Sequence, residues 1–390
     1  MPEVLRIEIS CLKPGEWRVI ERTHHAAENM ARVAYHEVEL RELLGEIRQC
    51  LLDADADMNG QHVRLRRLGS RLAEMTLPAA LREKVSSWQS PIEFFLDDIS
   101  NILPVELFPS GETVLADALP VSRHWFCENA SVPPPKRTDK ILQVLIVADP
   151  AEDLPDAQKE GEYLFRKIRG TKELKCRYLG RAVTCAELSR ELPDSNILHI
   201  AAHYRAGNLE DASGVALSDG LWMPSANTQT PELVFANCCR AGLTTSDNGS
   251  LSLVGHFLQS GSRHVIAPFL PVPDRVGLAV AKEFYHSLTS GVGVSEALLS
   301  ARRLVGPSSW LYWYFGSTSS SSSSSVFMQQ QNTKVRSIIG WLLILFMIVA
   351  MAWFLFPSNQ STPTNVIAEQ NATAPTDTSA PRINDSRRVI

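Results

Sequence analysis

A histidine and a cysteine stand at the ends of two apolar segments, where they could act as an acid/base group and a nucleophile. The segment 197–202 leads to His203, and the segment 232–238 leads to Cys239, 36 residues later. A neutral thiol is a weak nucleophile at pH 7, and an imidazole within hydrogen-bond reach activates it. The carboxyl ends of parallel strands meet at one sheet edge, where sites are commonly built. The pair therefore predicts thiol chemistry, provided that both segments are neighbouring parallel strands.

Nearby residues of the same types are alternatives to this pair. Cys238 is a second candidate nucleophile beside Cys239, but strand alternation turns the two side chains to opposite faces, so only one can reach a site. His199 shares the strand parity of His203 but lies deeper in the strand, and we expect a buried structural histidine there. The same structural role is expected for His256 and His264.

The elements that would position these side chains alternate between strand and helix. The segment 141–148 is nearly all apolar, as in a strand that is covered on both faces. A helical pattern at 158–168 and a strand pattern at 174–179 follow it, and Thr184 with Glu187 forms a capping box at the start of another helix. This alternation predicts an α/β fold with a doubly wound, mostly parallel sheet and flanking helices.

The same rhythm continues beyond His203. An Asp219-Gly220 turn predicts a hairpin over 215–223. The later predicted elements are helices at 251–259, 276–288 and 294–304, a strand at 264–269 and a closing segment at 310–316.

The first 90 residues have a different pattern. Leu5–Ile9 and Trp17–Ile20 alternate around a Lys-Pro-Gly turn, which predicts a hairpin. Apolar residues recur at helical spacing within 26–53, and a second helix is predicted at about 62–75. We therefore expect an N-terminal α+β extension over 1–90, followed by the main domain over 91–316 with its core at 139–316.

The C-terminal part predicts a single membrane-spanning helix. Seven consecutive serines mark 317–337 as a flexible linker. The next 19 residues, 338–356, carry no charge and would form a helix of about 28 Å, which is long enough to cross a bilayer. Trp341 and Trp353 suit the two interfaces.

The flanking charges predict the orientation of this span. Lys334 and Arg336 precede it, whereas the first basic residue after it is Arg382. The positive-inside rule then places the catalytic domain in the cytoplasm and the tail outside. The tail, 357–390, is rich in polar residues and proline and is expected to be disordered.

The composition argues against several other functions. The 390 residues carry a net charge of −5, so the chain lacks the basic excess that nucleic-acid binding needs. Seven cysteines occur at irregular spacings without a Cys-x-x-Cys pair, which argues against zinc ribbons and thioredoxin chemistry and fits reduced cytosolic thiols. We expect no metal and no cofactor.

Several short motifs follow one another in a recognisable order. They are an Asn-Ile-Leu-Pro-Val-Glu-Leu segment at 101–107, Ala-His at 202–203, Leu-Ser-Asp-Gly at 217–220, Val-Phe-Ala-Asn-Cys-Cys-Arg-Ala-Gly at 234–242, Gly-Ser-Arg-His-Val-Ile-Ala-Pro at 261–268, Pro-Val-Pro-Asp at 271–274, Phe-Tyr at 284–285, Gly291 and Glu-Ala-Leu at 296–298. In this order they resemble the CHAT family of caspase-like cysteine peptidases. The resemblance covers about 90–316 and is firmest over 139–316.

The resemblance implies roles for the two central residues. It makes Cys239 the nucleophile, because the family spacing Cys-x-x-Gly fits Cys239 and Gly242, and it makes His203 the general acid/base. It also implies an oxyanion hole formed by the backbone N–H groups of Cys239 and Tyr204, although the family usually has glycine at the latter position.

One further residue would contact the substrate under this resemblance, and a second stays open. Asn237 would line the pocket for the side chain before the scissile bond, where relatives that are specific for basic residues carry aspartate. A neutral side chain there argues against a strict preference for arginine or lysine. Arg240 would take part in either a salt bridge or a substrate contact.

The sequence as a whole predicts a membrane-anchored cysteine endopeptidase with a caspase-like fold. Its substrate would be a protein, such as a membrane or pore-forming protein, and no nucleic acid is involved. The alternative is a catalytically inactive CHAT-like interaction module that is tethered to the membrane, since Tyr204 departs from the usual glycine. Substrate identity, activating signal and oligomeric state stay open.

Overall fold

One eleven-stranded sheet organises the part of the chain that the structure describes. The structure, a computed structural model, describes residues 3–22, 27–53, 57–126, 142–171, 174–205, 213–225, 228–243 and 251–318. All of them belong to one unit. The predicted span at 338–356 and the tail at 357–390 lie outside the described residues. Within the described ranges, no helix is long and apolar enough to cross a bilayer.

The elements follow one another as a strand-rich first half and an alternating second half. The strands are β1 (Leu5–Lys13), β2 (Glu16–Arg22), β3 (Ala27–Ala34), β4 (Ile92–Leu96), β5 (Pro109–Ser110), β6 (Thr113–Val114), β7 (Val121–Trp125), β8 (Leu142–Ala148), β9 (Leu174–Leu179), β10 (Ile197–Ala201), β11 (Tyr204–Arg205), β12 (Gly214–Leu217), β13 (Gly220–Trp222), β14 (Leu233–Asn237), β15 (His264–Pro268) and β16 (Tyr312–Phe315). The helices are α1 (Glu37–Leu52), α2 (Met58–Thr76), α3 (Ala79–Ser87), α4 (Leu115–Ala118), α5 (Pro155–Arg169), α6 (Cys185–Glu191), α7 (Leu253–Gln259), α8 (Asp274–Thr289) and α9 (Val294–Val305).

The prediction of a mostly parallel sheet with flanking helices is confirmed. The strand order is β3-β2-β1-β4-β7-β16-β15-β14-β10-β8-β9. The five strands from β15 to β9 are all parallel to one another. The antiparallel pairs within this sheet are β1 with β2, β2 with β3, and β15 with β16. The strands on both sides of residue 90 pair in this one sheet, and the domain boundary there stays a prediction.

Both faces of the central strands are buried, which explains their continuous apolar sequences. Along β14, Leu233 and Phe235 join one apolar cluster, which includes residues of α5, α8 and α9. Val234, Ala236 and Cys238 join a second cluster on the opposite face, which includes residues of α6 and α7. The alternation along β14 therefore decides on which face of the sheet each side chain lies, and so which side chains can line a site on that face.

The N-terminal hairpin is confirmed, but the helix predicted within 26–53 begins later than the prediction allowed. Residues 27–34 form β3, which pairs with β2, and α1 starts at Glu37. The apolar residues with helical spacing start at Leu40, whereas β3 has a polar, small-residue sequence without that spacing. Pairing with β2, and not local pattern, makes this segment a strand. The second helix is present and is longer than predicted.

The segment 101–107, which contributes to the family resemblance, has a structural role. The buried Arg123 guanidinium donates hydrogen bonds to Glu106 (2.8 Å) and to the carbonyl of Leu103 (2.7 Å). It also lies 3.5 Å from the ring centre of Trp313. Since Arg123 is on β7 and Trp313 is on β16, this ring contact links the two halves of the sheet, and the ion pair with Glu106 holds the guanidinium in place.

Candidate active site

The two predicted chemical groups lie together at one edge of the sheet. β10 and β14 are adjacent and parallel, and Ala201 lies opposite Asn237. His203 and Cys239 each stand two residues beyond that pair, so matched strand ends bring them to the same place. Both line one cavity of about 60 Å³. The prediction of neighbouring parallel strands is therefore confirmed.

A tight turn presents Cys239 at the end of β14. The Ala241 N–H donates to the carbonyl of Cys238 (3.1 Å), and Arg240 has a φ of +64°. A positive φ at the third position is typical of a type II turn, and it costs about 1–2 kcal/mol for a residue with a side chain. Strain of this kind is common at functional sites. Arg240 is half-buried and is not among the residues that line the cavity.

Gly242 fixes where this turn sits. Its N–H donates to the carbonyl of Pro268 (2.8 Å). A Cβ atom at this position would lie 2.8 Å from the carbonyl oxygen of Ala267 and 2.9 Å from the backbone nitrogen of Phe269. The Cys-x-x-Gly spacing thus has a steric reason, because only glycine lets the turn pack this closely against the end of β15.

The two adjacent cysteines face opposite sides of the sheet. Cys238 is fully buried in the apolar cluster, its Sγ lies 3.7 Å from the carbonyl of Ile200, and burial raises the pKa of its thiol well above the usual range. Cys239 is half-buried, lines the cavity, and directs its Sγ toward the carbonyl of Val272 at 3.9 Å. The accessible thiol is therefore that of Cys239.

His203 is half-exposed and faces an aspartate that the sequence did not suggest. Its Nε2 lies 3.4 Å from Asp153 Oδ2. Asp153 lies in the loop between β8 and α5. Asp149 fixes the conformation of this loop, because its Oδ1 accepts hydrogen bonds from the N–H groups of Asp153 (2.9 Å) and Leu154 (2.8 Å). Asp149 is buried and has a φ of +51°, which is a position that aspartate tolerates better than most residues.

Tyr204 continues directly from His203 into β11. The Ala216 N–H donates to the carbonyl of His203 (2.9 Å), and Tyr204 lies opposite Val215. In this antiparallel register the Tyr204–Val215 pair is a non-hydrogen-bonded pair, so the Tyr204 N–H points away from β12. The Tyr204 side chain is buried in the apolar cluster with Cys238. The ring of Tyr204 therefore lies within the cluster. Its backbone N–H is not used in pairing with β12, so it could bind an anion.

A buried carboxylate forms part of the cavity wall. Glu160 of α5 is 1% exposed and accepts hydrogen bonds from Asn237 Nδ2 at 2.8 and 2.9 Å. His199 Nε2 lies 2.8 Å from Glu160 Oε1, although its orientation is not that of a hydrogen bond. Tyr312 O–H donates to Asn237 Oδ1, and burial and the charge of Glu160 raise the tyrosine's pKa well above its usual range. Asn237 therefore has a fixed orientation, with its amide nitrogen on the carboxylate.

Asp274, at the start of α8, adds a second acidic group to the cavity lining. Its pKa is raised by partial burial and by the nearby charges of Asp156 and Glu160, while His203 opposes that rise. The lining thus carries a concentration of negative potential around the imidazole, to which Asp153 also contributes.

The remaining predicted histidines have structural surroundings. His199 is buried and stacks against Phe235 with a ring distance of 5.3 Å. His264 is buried, and its Nδ1 lies 2.8 Å from the hydroxyl of Tyr314. Burial lowers the pKa of His256. Neither His256 nor His264 is among the described residues that line the cavity.

Comparison with known proteins agrees with this architecture. The CHAT domain profile matches residues 66–315, which is more than half of the chain. The separase of the Saccharomyces cerevisiae separase–securin complex is similar in structure, with a TM-score of 0.51 and 10% sequence identity over 80% of this chain. This chain spans only 30% of that separase chain. No curated protein matches the sequence.

A second group of solved structures comprises bacterial cysteine proteinases. The Arg-specific cysteine proteinase gingipain R aligns with 71% of this chain and 75% of its own, at 11% identity and a TM-score of 0.38. The complex of Porphyromonas gingivalis RgpB pro- and mature domains aligns at 11% identity and a TM-score of 0.37, over 73% of this chain and 77% of that one. The profile match, together with a peptidase-like fold, shows that the chain belongs to the CHAT domain family.

Proposed function

We propose that this protein is a cysteine endopeptidase in which Cys239 is the nucleophile and His203 is the general acid/base. The observation that supports this most is that both side chains line one cavity at the carboxyl ends of two adjacent parallel strands. The nearby alternative thiol, Cys238, is sealed in the core on the opposite face. An accessible thiol beside an imidazole that a carboxylate contacts is the arrangement that nucleophilic catalysis needs.

The proposed reaction has two stages. His203 takes the proton of the Cys239 thiol, and the thiolate attacks the scissile carbonyl carbon. The backbone N–H groups of Cys239 and Tyr204 stabilise the oxyanion. His203 then gives the proton to the leaving amine, and a thioester remains on Cys239. In the second stage His203 activates a water molecule that hydrolyses the thioester, while Asp153 stabilises the imidazolium in both stages.

The acidic lining suggests which side chain the proposed enzyme accepts before the scissile bond. Asn237 alone argues against a strict preference for basic residues, but it is bonded to Glu160, whose carboxylate also lines the cavity. With Asp274 beside it, the site has a negative potential that favours a cationic side chain. The proposed specificity is therefore for lysine or arginine, with the charge supplied by Glu160.

We further propose that the segment 338–356 anchors the enzyme and keeps residues 1–337 in the cytoplasm, so that protein substrates at the membrane, including pore-forming proteins, are its targets. The support for this is the uncharged segment with basic residues only on its N-terminal side. Within the described domain, β16 is antiparallel to β15 and ends beside the start of that strand. The last described residues, 316–318, thus follow the end of β16 that lies away from the strand ends that carry His203 and Cys239.

A thiol-directed peptide probe tests the proposed activity. We expect labelling of the wild type and of Cys238→Ala, and a loss of labelling by orders of magnitude in Cys239→Ala and His203→Ala, since the pair acts as a unit. Circular dichroism and thermal melts establish that each variant is folded. Equal labelling of the wild type and Cys239→Ala would contradict the proposed nucleophile.

An inactive interaction module is the second candidate function. It is favoured by the small cavity, about 60 Å³, and by Tyr204 in place of the usual glycine. In that case a folded wild-type protein reacts with no peptide probe, while iodoacetamide still alkylates Cys239. A proteome-wide comparison of new N-termini between wild-type cells and Cys239→Ala cells would then show no difference.

A further inference from the structure

A second and larger cavity adjoins the one that holds Cys239. Its volume is about 500 Å³, which is within the range of pockets that bind small ligands or side chains. Val272 and Pro273 line both cavities, so the segment after β15 is their common wall. On the side of the first cavity, the carbonyl oxygen of Val272 lies 3.9 Å from Cys239 Sγ.

The lining of the second cavity is mainly apolar. Leu52 at the end of α1 and Met58 at the start of α2 form one side, and Val276 and Val305 form part of the other. Met58 is 58% exposed, which is a large exposed fraction for an apolar side chain. Asp53 and Arg275, which carry opposite charges, also line it, so their charges cancel and select neither a cation nor an anion.

Part of this cavity is built by residues outside the region that the family profile matches. The match begins at residue 66, whereas the lining includes residues between 51 and 61. The N-terminal extension, for which the sequence predicts a hairpin and helices, thus supplies one part of the lining of a pocket next to the thiol.

We propose that this second cavity is a substrate subsite for one large apolar side chain, aliphatic or aromatic. This rests on the proposed peptidase function and names a determinant of its specificity. An extended peptide advances roughly 3.3–3.6 Å per residue, so a side chain two to three residues from the scissile bond lies roughly 7–10 Å along the chain. The two cavities share Val272 and Pro273 in their lining, so a peptide that crosses this segment can place such a side chain in the second cavity.

Two matched pairs of variants isolate the cavity. Met58→Glu places a charge in its lining, and Val63→Glu makes the same change on the same helix at a side chain that is 69% exposed and does not line the cavity. Glutamate suits position 58, which is in the first turn of α2, so the fold is preserved. Leu52→Glu, with Gln49→Glu as its control at an exposed position in the same last turn of α1, repeats the comparison at a second position.

Two measurements are made on the full-length protein. The first is the labelling rate of Cys239 with a one-residue thiol probe and with longer probes in which a single phenylalanine moves along a serine background. The second is the dissociation constant of fluorescent peptides of the same sequences on the Cys239→Ala variant. We expect one phenylalanine position to improve both by at least tenfold. Met58→Glu and Leu52→Glu remove that gain, whereas the two controls retain it, and the one-residue probe reacts equally with all.

The other outcomes separate the subsite from the enzyme. If the one-residue probe reacts but no phenylalanine position matters, or Met58→Glu behaves like Val63→Glu, the subsite is overturned and the peptidase stands. If Met58→Glu slows the one-residue probe as strongly as the long probes, the cavity acts on the thiol through Val272 and is not a subsite. If no probe reacts with folded wild type, the peptidase itself is overturned, even where Cys239→Ala still binds the phenylalanine peptides.

Discussion

Gly242→Ala should impair the candidate site while leaving the rest of the domain folded. The new Cβ would lie 2.8 Å from the carbonyl oxygen of Ala267, where ordinary contact begins at 3.4 Å, so one side must move by about 0.6 Å. The atoms it meets are backbone atoms of β15 and of the segment after it, which cannot rotate away as a side chain can. The turn that carries Cys239 therefore has to shift.

The expected magnitude follows from that displacement. Overpacking of this kind typically costs about 1–3 kcal/mol of unfolding free energy. A misplacement of 1 Å can cost about 100-fold in rate, so a shift of about 0.6 Å corresponds to roughly a tenfold loss or more. The same turn positions both the thiol and the backbone N–H of Cys239. We therefore expect the rate of thiolate attack and the stabilisation of the oxyanion to decrease together.

The assay is the labelling rate of Cys239 by a thiol-directed peptide probe, measured beside the midpoint of thermal unfolding. Gly45→Ala is the matched control, because its Cβ would meet nothing within 4 Å on an exposed face of α1. That control should gain about 0.5–1 kcal/mol of stability and keep the wild-type rate. A Gly242→Ala protein with wild-type stability and labelling would refute the steric account of the Cys-x-x-Gly spacing.

Three further changes test other contacts. Asp153→Asn should slow probe labelling by a few-fold to tenfold, because it removes the charge that faces the imidazolium of His203; an unchanged rate would show that the contact is incidental. Glu160→Gln should reduce the preference for arginine over glutamine before the scissile bond by at least tenfold in paired peptide assays, and an unaltered ratio would place the specificity elsewhere. Burial would raise the pKa of Glu93, but hydrogen bonds, including one from Ser317, and a neighbouring imidazole hold it at about 2. Its stabilisation, up to about 3 kcal/mol, is therefore present above pH 4.5 and lost as the pH falls toward 2, and Glu93→Gln should lower the unfolding free energy at pH 7 and flatten that acid dependence.

The position of the cysteine and of the histidine at strand ends could be predicted because it depends on local pattern. A continuous apolar run predicts a strand that is buried on both faces, and the period of two then decides that Cys238 and Cys239 diverge. A parallel sheet follows from the alternation of strands and helices. Which strands lie side by side is a long-range property, so the adjacency of β10 and β14 is a condition of the prediction, which the structure supplies.

The acidic partners of the site could not be predicted in the same way. The position of Asp153 depends on a loop in which Asp149 adopts a positive φ and accepts hydrogen bonds from two backbone N–H groups. The sequence around Asp149 contains no pattern that predicts this loop conformation. Glu160 did leave a signal. Ala157, Gly161 and Leu164 are buried on one face of α5, and Glu160 falls on that face, where a charged residue needs a partner.

β3 illustrates a different reason for failure. Its sequence, Ala-Glu-Asn-Met-Ala-Arg-Val-Ala, alternates only weakly, because Ala31 and Val33 are half-buried on one face while the apolar Met30 is exposed on the other. Its strand conformation comes from pairing with β2 at the edge of the sheet. An edge strand can form because its backbone pairs with the free N–H and C=O groups of the neighbouring strand. A prediction from the local sequence alone can therefore miss it.

The segment after β15 connects the features of the site that matter most for specificity. The backbone of Ala267 and Pro268 packs closely against Gly242, and the carbonyl of Pro268 accepts a hydrogen bond from the Gly242 N–H. These contacts fix the position of the turn that carries Cys239. The carbonyl of Val272 lies against the thiol, and the same residue separates the two cavities. Under the proposed function, a substrate that occupies both cavities contacts the two sides of this short segment. Binding energy gained in the larger, apolar cavity can then be used to hold the scissile bond against Cys239, because interactions remote from the reacting atoms can position the reacting centre.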